Sequence, residues 1–293
     1  MRSKGIAIPY VIWMAVFVVA PLILVVLYAI SAKAGGFTGS NFLEMIQYAN
    51  VFGRSFLLAM IATLICILVG YPMAYLLSRE GPGVRRVAMM LIMLPMWMNY
   101  LLRTYSWMFL LERNGLINRF FGAVGLFHLT NGISGLLNGA FGLHLATNVT
   151  YFEMIGSSGA VVLGMVYNFL PFMILPIYSV IEKIDPRVVE AAQDLGADSL
   201  RVFLRITLPL SLPGVLSGIT MVFIPSVSTF VISRLLGGGT SLLLGDLIEM
   251  QFLGQAYNPH LGSAISLVMM VIVLAAMAVM NRFGEGEEGT VVL

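Results

Sequence analysis

The sequence predicts an all-α integral membrane protein that crosses the bilayer six times, with both termini in the cytoplasm. Three observations carry this: the composition, the length of the apolar runs and the placement of the basic residues. Of 293 residues, 59% are hydrophobic and only 10% are charged, against about 25% charged in a soluble globular chain. Charge this sparse cannot cover a water-facing surface. The apolar residues come in long runs, and a hydrocarbon core about 30 Å thick is crossed by about 20 residues of helix. Strands of a membrane barrel instead alternate over roughly 10 residues. A spanning helix satisfies every backbone polar group within its own segment. The net charge of +2 is too small to imply a nucleic-acid partner.

The spans run from Ile6 to Ile30, Val51 to Leu77, Val87 to Leu110, Ala160 to Ile181, Leu212 to Leu235 and Leu261 to Met280. With the N-terminus inside, Arg2, Lys4, Arg79, Arg85, Arg86, Lys183, Arg187, Arg201, Arg205 and Arg282 are cytoplasmic. Lys33, Arg54, Arg103, Arg113, Arg119 and Arg234 are at or beyond the outer boundary. Ten against six, out of 16 Lys and Arg in all, is the bias that the positive-inside rule asks for. The first run also has the basic start of a signal peptide, with Ala32-Lys33-Ala34 as a small-x-small cleavage pattern. Its apolar stretch exceeds the 7–15 residues of a signal core, so it is read as a retained span. Cys66, the single cysteine, lies inside the second run and reads as a small buried hydrophobe.

Two loops stand out. The outer segment from Glu112 to Gly159 is long and rich in Gly and Asn. Its middle, Gly122 to Gly142, is moderately apolar but interrupted by glycines, so short interfacial helices are expected there and no further span. The cytoplasmic loop from Glu182 to Ser211 is the most charged stretch of the chain. Pro186 opens a helix there with Asp185 as its N-cap. Val188, Ala191, Ala192 and Leu195 fall at helical spacing and form a narrow apolar stripe, and Glu190 and Asp194 lie on another face. Gly196 ends or bends this helix. A second short helix follows, with Asp198 and Ser199 as cap candidates and Leu200, Phe203 and Leu204 as its apolar residues. Pro209 and Pro213 are expected to break the chain before the next span. The residues alone allow two readings: a helical hairpin gripped by another protein, or an amphipathic loop resting on lipid, with Arg201 and Arg205 on anionic headgroups.

The spacing discriminates between them. Glu190-Ala191-Ala192, three residues, Gly196, nine residues, then Ile206-Thr207-Leu208-Pro209 resembles the permease subunits of type I ATP-binding-cassette importers at every signature position. The likeness extends from about Asn50 to Met280 and looks strongest toward the spermidine/putrescine permeases. It is carried by Leu68-Val69-Gly70-Tyr71-Pro72-Met73-Ala74, Leu94-Pro95-Met96-Trp97-Met98-Asn99, Leu102-Arg103-Thr104-Tyr105, Asn114-Gly115-Leu116-Ile117-Asn118, Leu170-Pro171-Phe172-Met173-Ile174-Leu175-Pro176 and Leu244-Gly245-Asp246-Leu247-Ile248-Glu249. The outer loop from Phe120 to Ser158 departs from the family pattern and is longer. The resemblance implies an N-terminal helix with its outer loop over residues 1–49 and an importer transmembrane domain over 50–281. Residues 182–211 are then the coupling loop and 282–293 a cytoplasmic tail. Glu190, Ala191, Ala192, Asp194, Gly196, Ile206, Leu208 and Pro209 would engage an ATPase. It also implies two ATPase subunits carrying ATP and Mg, a sister permease in a heterodimer, and an extracytoplasmic substrate-binding protein. Relatives with similar loops carry other solutes, among them ferric iron, thiamine and opine-like compounds.

The chain has no ATP site of its own. A phosphate-binding loop needs Gly-x-x-x-x-Gly-Lys followed by Ser or Thr, and none of Lys4, Lys33 and Lys183 follows a glycine. A membrane enzyme is disfavoured, because neither His-Glu-x-x-His nor Gly-x-Ser-x-Gly occurs and His128, His144 and His260 are read as loop residues without a metal. An ion-coupled secondary transporter keeps carboxylates within its spans, whereas all 14 acidic residues fall in loops or at span ends. For the solute pathway, Ser226, Thr229 and Ser233 fall on one face of the fifth span, where helix–helix hydrogen bonding is the competing role. Trp97, Asn99, Tyr167 and Asn168 bring aromatic faces and amides near the third and fourth spans. Such faces attract an ammonium by roughly 0.5–2 kcal/mol each. Tyr100, Tyr105 and Trp107 read better as interfacial aromatics. Asp246 and Glu249, three residues apart after the glycine turn at Gly237-Gly238-Gly239, would receive a cation at the outer mouth or simply face water.

Overall fold

A computed structural model describes residues 8–32, 35–141, 149–239, 242–254 and 256–284. Arg2, Lys4, Lys33, Ala34, His144 and the tail beyond Gly284 lie outside the described residues. In chain order the helices are α1 (Ile8–Met14), α2 (Ala20–Ile30), α3 (Ser40–Met45), α4 (Ala49–Arg79), α5 (Pro82–Trp97), α6 (Tyr100–Leu111), α7 (Leu116–Ala123), α8 (Leu126–Phe141), α9 (Ser158–Ile181), α10 (Pro186–Asp194), α11 (Ser199–Val202), α12 (Leu208–Ser228), α13 (Val231–Leu236), α14 (Leu244–Leu253) and α15 (Pro259–Gly284). Among the described residues there is no strand beyond one isolated bridge, Ser31 with Phe37.

Among the described residues, five helical stretches are long and apolar enough to cross a membrane: Ile8–Ile30, Ser40–Arg79, Ser158–Ile181, Ser199–Ser228 and Pro259–Met280. The third expected span, Val87 to Leu110, is not one straight helix. It is divided between α5 and α6, and the pair Pro82–Trp97 and Tyr100–Ala123 bends by 95°. Asn99 causes the restart, since its Oδ1 accepts from Leu101 N at 2.9 Å and Leu102 N at 3.3 Å and thereby caps a new helix. The fifth span also stops early. Expected to reach Leu235, it ends at Ser228, because Thr229 turns to an extended backbone with ψ 137°. The segments between Glu112 and Gly159 form the short helices α7 and α8, as their glycine spacing suggests.

The expected break at Pro209 does not occur either. The chain runs helically from Ser199 to Ser228 through a π turn at Phe203–Thr207, closed by Leu208 N bonding to Phe203 O. A wider turn of this kind lets a helix absorb one residue too many, and Pro209 follows it directly, near the start of α12. Pro213 likewise sits inside α12.

Two compact units divide the chain. One comprises residues 1–55 and 243–293. In it α15 packs against α2, α3 and α14. His260 Nδ1 lies 3.0 Å from Ser31 Oγ, and Asn41 Nδ2 donates to the carbonyls of Ala29 and Ser31 at the end of α2. The other comprises residues 56–242, and its centre is the contact of α9 with α12. Met165, Met173, Ile174 and Ile177 of α9 are fully enclosed. The two helices approach closely because Gly214 and Gly218 face them. A Cβ at Gly214 would lie 2.8 Å from Pro176 O, and one at Gly218 would lie 2.6 Å from Met173 Sδ. Where lipid is as apolar as leucine, such small-residue contacts and buried hydrogen bonds hold helices together. Tyr71 Oη and Ser211 Oγ make one such bond at 2.7 Å, and Cys66 is fully buried nearby on α4.

Candidate functional site

The loop between α9 and α12 folds as its residues dictate. Asp185 Oδ1 accepts from Arg187 N at 3.0 Å and caps α10, with Pro186 in the first turn. At the other end Gly196 N bonds to Gln193 O at 2.8 Å and Ala197 N to Ala192 O at 3.0 Å. This pair of bonds is the Schellman closure, and it holds Gly196 at φ +82°. Asp198 Oδ1 then accepts from Arg201 N at 3.0 Å and caps α11. Two caps and one glycine thus fix the angle at which α10 leaves the membrane unit.

The exposed face of α10 is chemically distinctive. Glu190, Ala191, Asp194 and Gly196 are exposed, while Ala192, Ile206, Leu208 and Pro209 are half-buried against the unit. The expected apolar stripe lies largely on the outside. Val188 is 46% exposed and Leu195 89% exposed, so Val188, Ala191 and Leu195 present apolar surface at i, i+3 and i+7 to the outside. Leu195 was visible in the sequence as part of the stripe. Val189 and Ala192, between the exposed positions, are half-buried.

Behind α10 lies a cavity of about 420 Å³ lined by Tyr75, Arg79, Ile184, Val189, Glu190 and Thr207. The Arg79 guanidinium stacks over the Tyr75 ring at 4.4 Å. Phe203 stands edge-on to Tyr75 at 5.0 Å and to Tyr71 at 5.8 Å. Arg85 and Glu182 form an ion pair at 2.5 Å beside it. Aromatic edges therefore connect the loop to α4, and the ion pair ties its start to α5.

The residues considered for a solute pathway do not all converge. Trp97 is 85% exposed at the end of α5. Asn99 is exposed, and its side-chain oxygen is committed to capping α6. Tyr167 stacks edge-on with Trp107 at 5.2 Å. Asn168 is 1% exposed and donates to Gly164 O at 2.9 Å. Ser226, Thr229 and Ser233 do not share one helix face, since the helix ends at Ser228 and restarts at Val231. Their hydroxyls are used locally. Ser226 donates to Val222 O at 2.7 Å and Ser233 to Phe230 O at 3.0 Å. Thr229 Oγ1 lies 3.1 Å from Tyr100 Oη. Tyr100 is thus tied to the break after α12.

Asp246 is 6% exposed, and its Oδ2 accepts from Leu243 N at 3.0 Å, closing the start of α14. A cation at an open mouth would not reach it in this arrangement. Glu249, one turn on, is half-buried. Loss of the Asp246 cap is expected to cost about 1 kcal/mol. Asp246→Ala therefore lowers the thermal midpoint of the purified chain, and Asp246→Asn, which keeps an acceptor, lowers it less. An equal midpoint for Asp246→Ala and wild type would show the cap to be idle.

Known proteins share this sequence and this architecture. Residues 66–285 match the family described as the inner membrane component of binding-protein-dependent transport systems. The spermidine/putrescine transport system permease PotB of Haemophilus influenzae is 34% identical over 278 residues, covering 92% of this chain and 90% of that protein. PotB of Escherichia coli K12 is 32% identical over 268 residues, covering 89% and 90%. Among solved structures, a bacterial importer of the acidic polysaccharide alginate superimposes with a TM-score of 0.72 over 96% of this chain and 94% of that one, at 18% identity. That likeness shows the fold. The match over most of the length and the helical architecture together establish that the chain belongs to the inner membrane components of binding-protein-dependent transport systems, the permease subunits of ATP-binding-cassette importers.

Proposed function

We propose that the chain forms one half of the membrane pathway of a polyamine importer and takes its driving force from separate ATPase subunits gripping α10. The observation that carries the solute is the 34% identity to a spermidine/putrescine permease over 92% of the chain. The observation that supports the coupling role is a capped, outward-projecting helix with apolar surface left uncovered, at the position where the family signature falls. ATP and Mg would be held by the ATPase subunits. A sister permease would complete the pathway, and a substrate-binding protein would deliver the solute at the outer face. Closure of the ATPases would rock one packed bundle against the other and alternate access to the solute. The exposed Trp97 ring offers an ammonium a cation–π contact of the usual strength. Identifying the ligand of the cognate binding protein, with uptake of labelled spermidine and putrescine by cells carrying the complete importer, tests the solute. A binding protein that ignores both polyamines would overturn it.

The orientation has its own test. Both termini and Gly196 are expected in the cytoplasm, with Asn138 and Asn258 outside. In a chain with Cys66 replaced, single cysteines at 138 and 258 should react with an impermeant thiol reagent added to intact cells, and one at 196 should react only after lysis. Reaction at 196 in intact cells would reverse the orientation.

A further inference from the structure

We infer that Arg85 and Glu182 are positioning residues for transport, an ion pair through which α5 follows the displacement of α10. Glu182 is the C-cap of α9, and only Lys183 and Ile184 separate it from Asp185, the cap of α10. Lys183 N and Ile184 N bond back to Val180 O and Ile181 O at 3.1 Å each. This short link is therefore a bonded turn, and a push on α10 reaches Glu182 directly. Arg85 stands near the start of α5, where its Nη1 donates to Glu182 Oε1 at 2.5 Å and its Nη2 reaches Glu80 O at 3.4 Å. Its Nε is fully enclosed, and the buried Tyr178 of α9 lies against both charged groups.

Little else registers α5 to the rest of its unit. None of its residues is buried, and among the described residues α9 is the one helix it packs against to more than a marginal degree. Both of its ends are short extended links. Gly81 precedes it with ψ 159°, and Met98 and Asn99 follow it with ψ 148° and 129°. By contrast α6, beyond the 95° bend, packs against α7, α9 and α13. Residues at element ends absorb the angle changes of moving parts, so Met98 and Asn99 form a hinge about which α5 swings while α6 stays. Apolar side chains gain little by leaving lipid for one another, and a polar contact at the far end of α5 is then what sets its place on α9. A partly exposed pair adds little to stability, so its removal should disturb movement rather than folding. Arginine suits the position because its fork serves Glu182 and the Glu80 carbonyl together, which a lysine cannot.

The inference rests on the reading that an ATPase grips α10. It is tested on the complete importer in membranes with Arg85→Gln and Glu182→Gln. Each should keep the ATPase bound and hydrolysing ATP at the wild-type rate, with an unchanged thermal midpoint for the chain, while solute uptake falls about tenfold. The exchange of charges, Arg85→Glu with Glu182→Arg, should recover most of the uptake that Arg85→Glu alone abolishes. In a chain with Cys66 replaced, Arg85→Cys with Glu182→Cys should be equally uncoupled, and joining the two thiols with a short bifunctional reagent should restore uptake. Normal uptake by Arg85→Gln overturns the inference. An exchange no better than the single reversal also overturns it, as does a joined pair that stays inactive, since the contact would then have to open during the cycle. Co-purified ATPase reports on the grip at α10, whereas solute carried per ATP reports on the ion pair, so the two failures are distinguishable.

Discussion

A Gly196→Val permease is expected to reach the membrane in normal amount and to transport nothing. Gly196 holds φ +82° at the closure of α10, a region that β-branched residues essentially do not enter. Forcing a side chain into it costs of order 1–3 kcal/mol, and the local alternative is to abandon the two closing bonds from Gly196 N and Ala197 N. The angle of α10 would then be lost while the spans stay intact. Within the chain there is no steric obstacle, since a Cβ at this position would meet nothing within 4 Å. This separates two causes. If backbone geometry decides, Gly196→Asn, which tolerates the left-handed region, should transport better than Gly196→Ala despite its larger side chain. If a partner surface presses on the glycine, Asn should be the worse of the two. Uptake and ATPase co-purification in membranes read both. Normal transport by Gly196→Val would remove the docking role from this loop.

Much of the architecture was legible because hydropathy reports bilayer depth directly. The runs around Ile8–Ile30, Ser158–Ile181 and Pro259–Met280 carry few competing signals, so their ends fall within a few residues of expectation. The loop between α9 and α12 was legible for a different reason. Asp185, Pro186, Gly196 and Asp198 each have a specific local role, and those roles do not depend on tertiary context. The two helix breaks were missed because a helix that turns within the apolar layer keeps its hydropathy. Only the capping residue Asn99 marked the 95° bend, and it was read as a pathway amide. Thr229 was read by period alone, which assumes that the helix continues through it. Asp246 was assigned to an outer mouth on charge and spacing, and its burial as a cap depends on Leu243 and Ser55, whose Oγ accepts from Leu244 N at 2.8 Å. Contacts between residues that are far apart in sequence leave no local trace, and the pathway residues depend on such contacts more than the loop does.

Leu195→Asp should release the ATPase without disturbing the permease itself. Leu195 is 89% exposed at the C-terminus of α10, so it contributes almost nothing to the stability of its own chain. If an ATPase groove covers it, its burial is worth about 1.5–3 kcal/mol, or roughly 10- to 150-fold in affinity at 1.4 kcal/mol per tenfold. Aspartate forfeits that term and adds the cost of desolvating a charge in the groove. Co-purified ATPase and solute uptake should therefore both fall at least tenfold, with an unchanged thermal midpoint for the chain alone. Leu195→Met, which conserves volume and apolarity, should cost less than about 1.5 kcal/mol and keep most of the transport. Leu204, also exposed at 50% but set in the π turn rather than on α10, supplies the comparison. If Leu204→Asp is as damaging as Leu195→Asp, the whole loop lies against a surface such as the bilayer, and α10 has no special role. If only the Leu195 variant loses its ATPase, the contact is a groove that accepts the end of α10. Full retention of the ATPase by Leu195→Asp would place the coupling contact elsewhere in the chain.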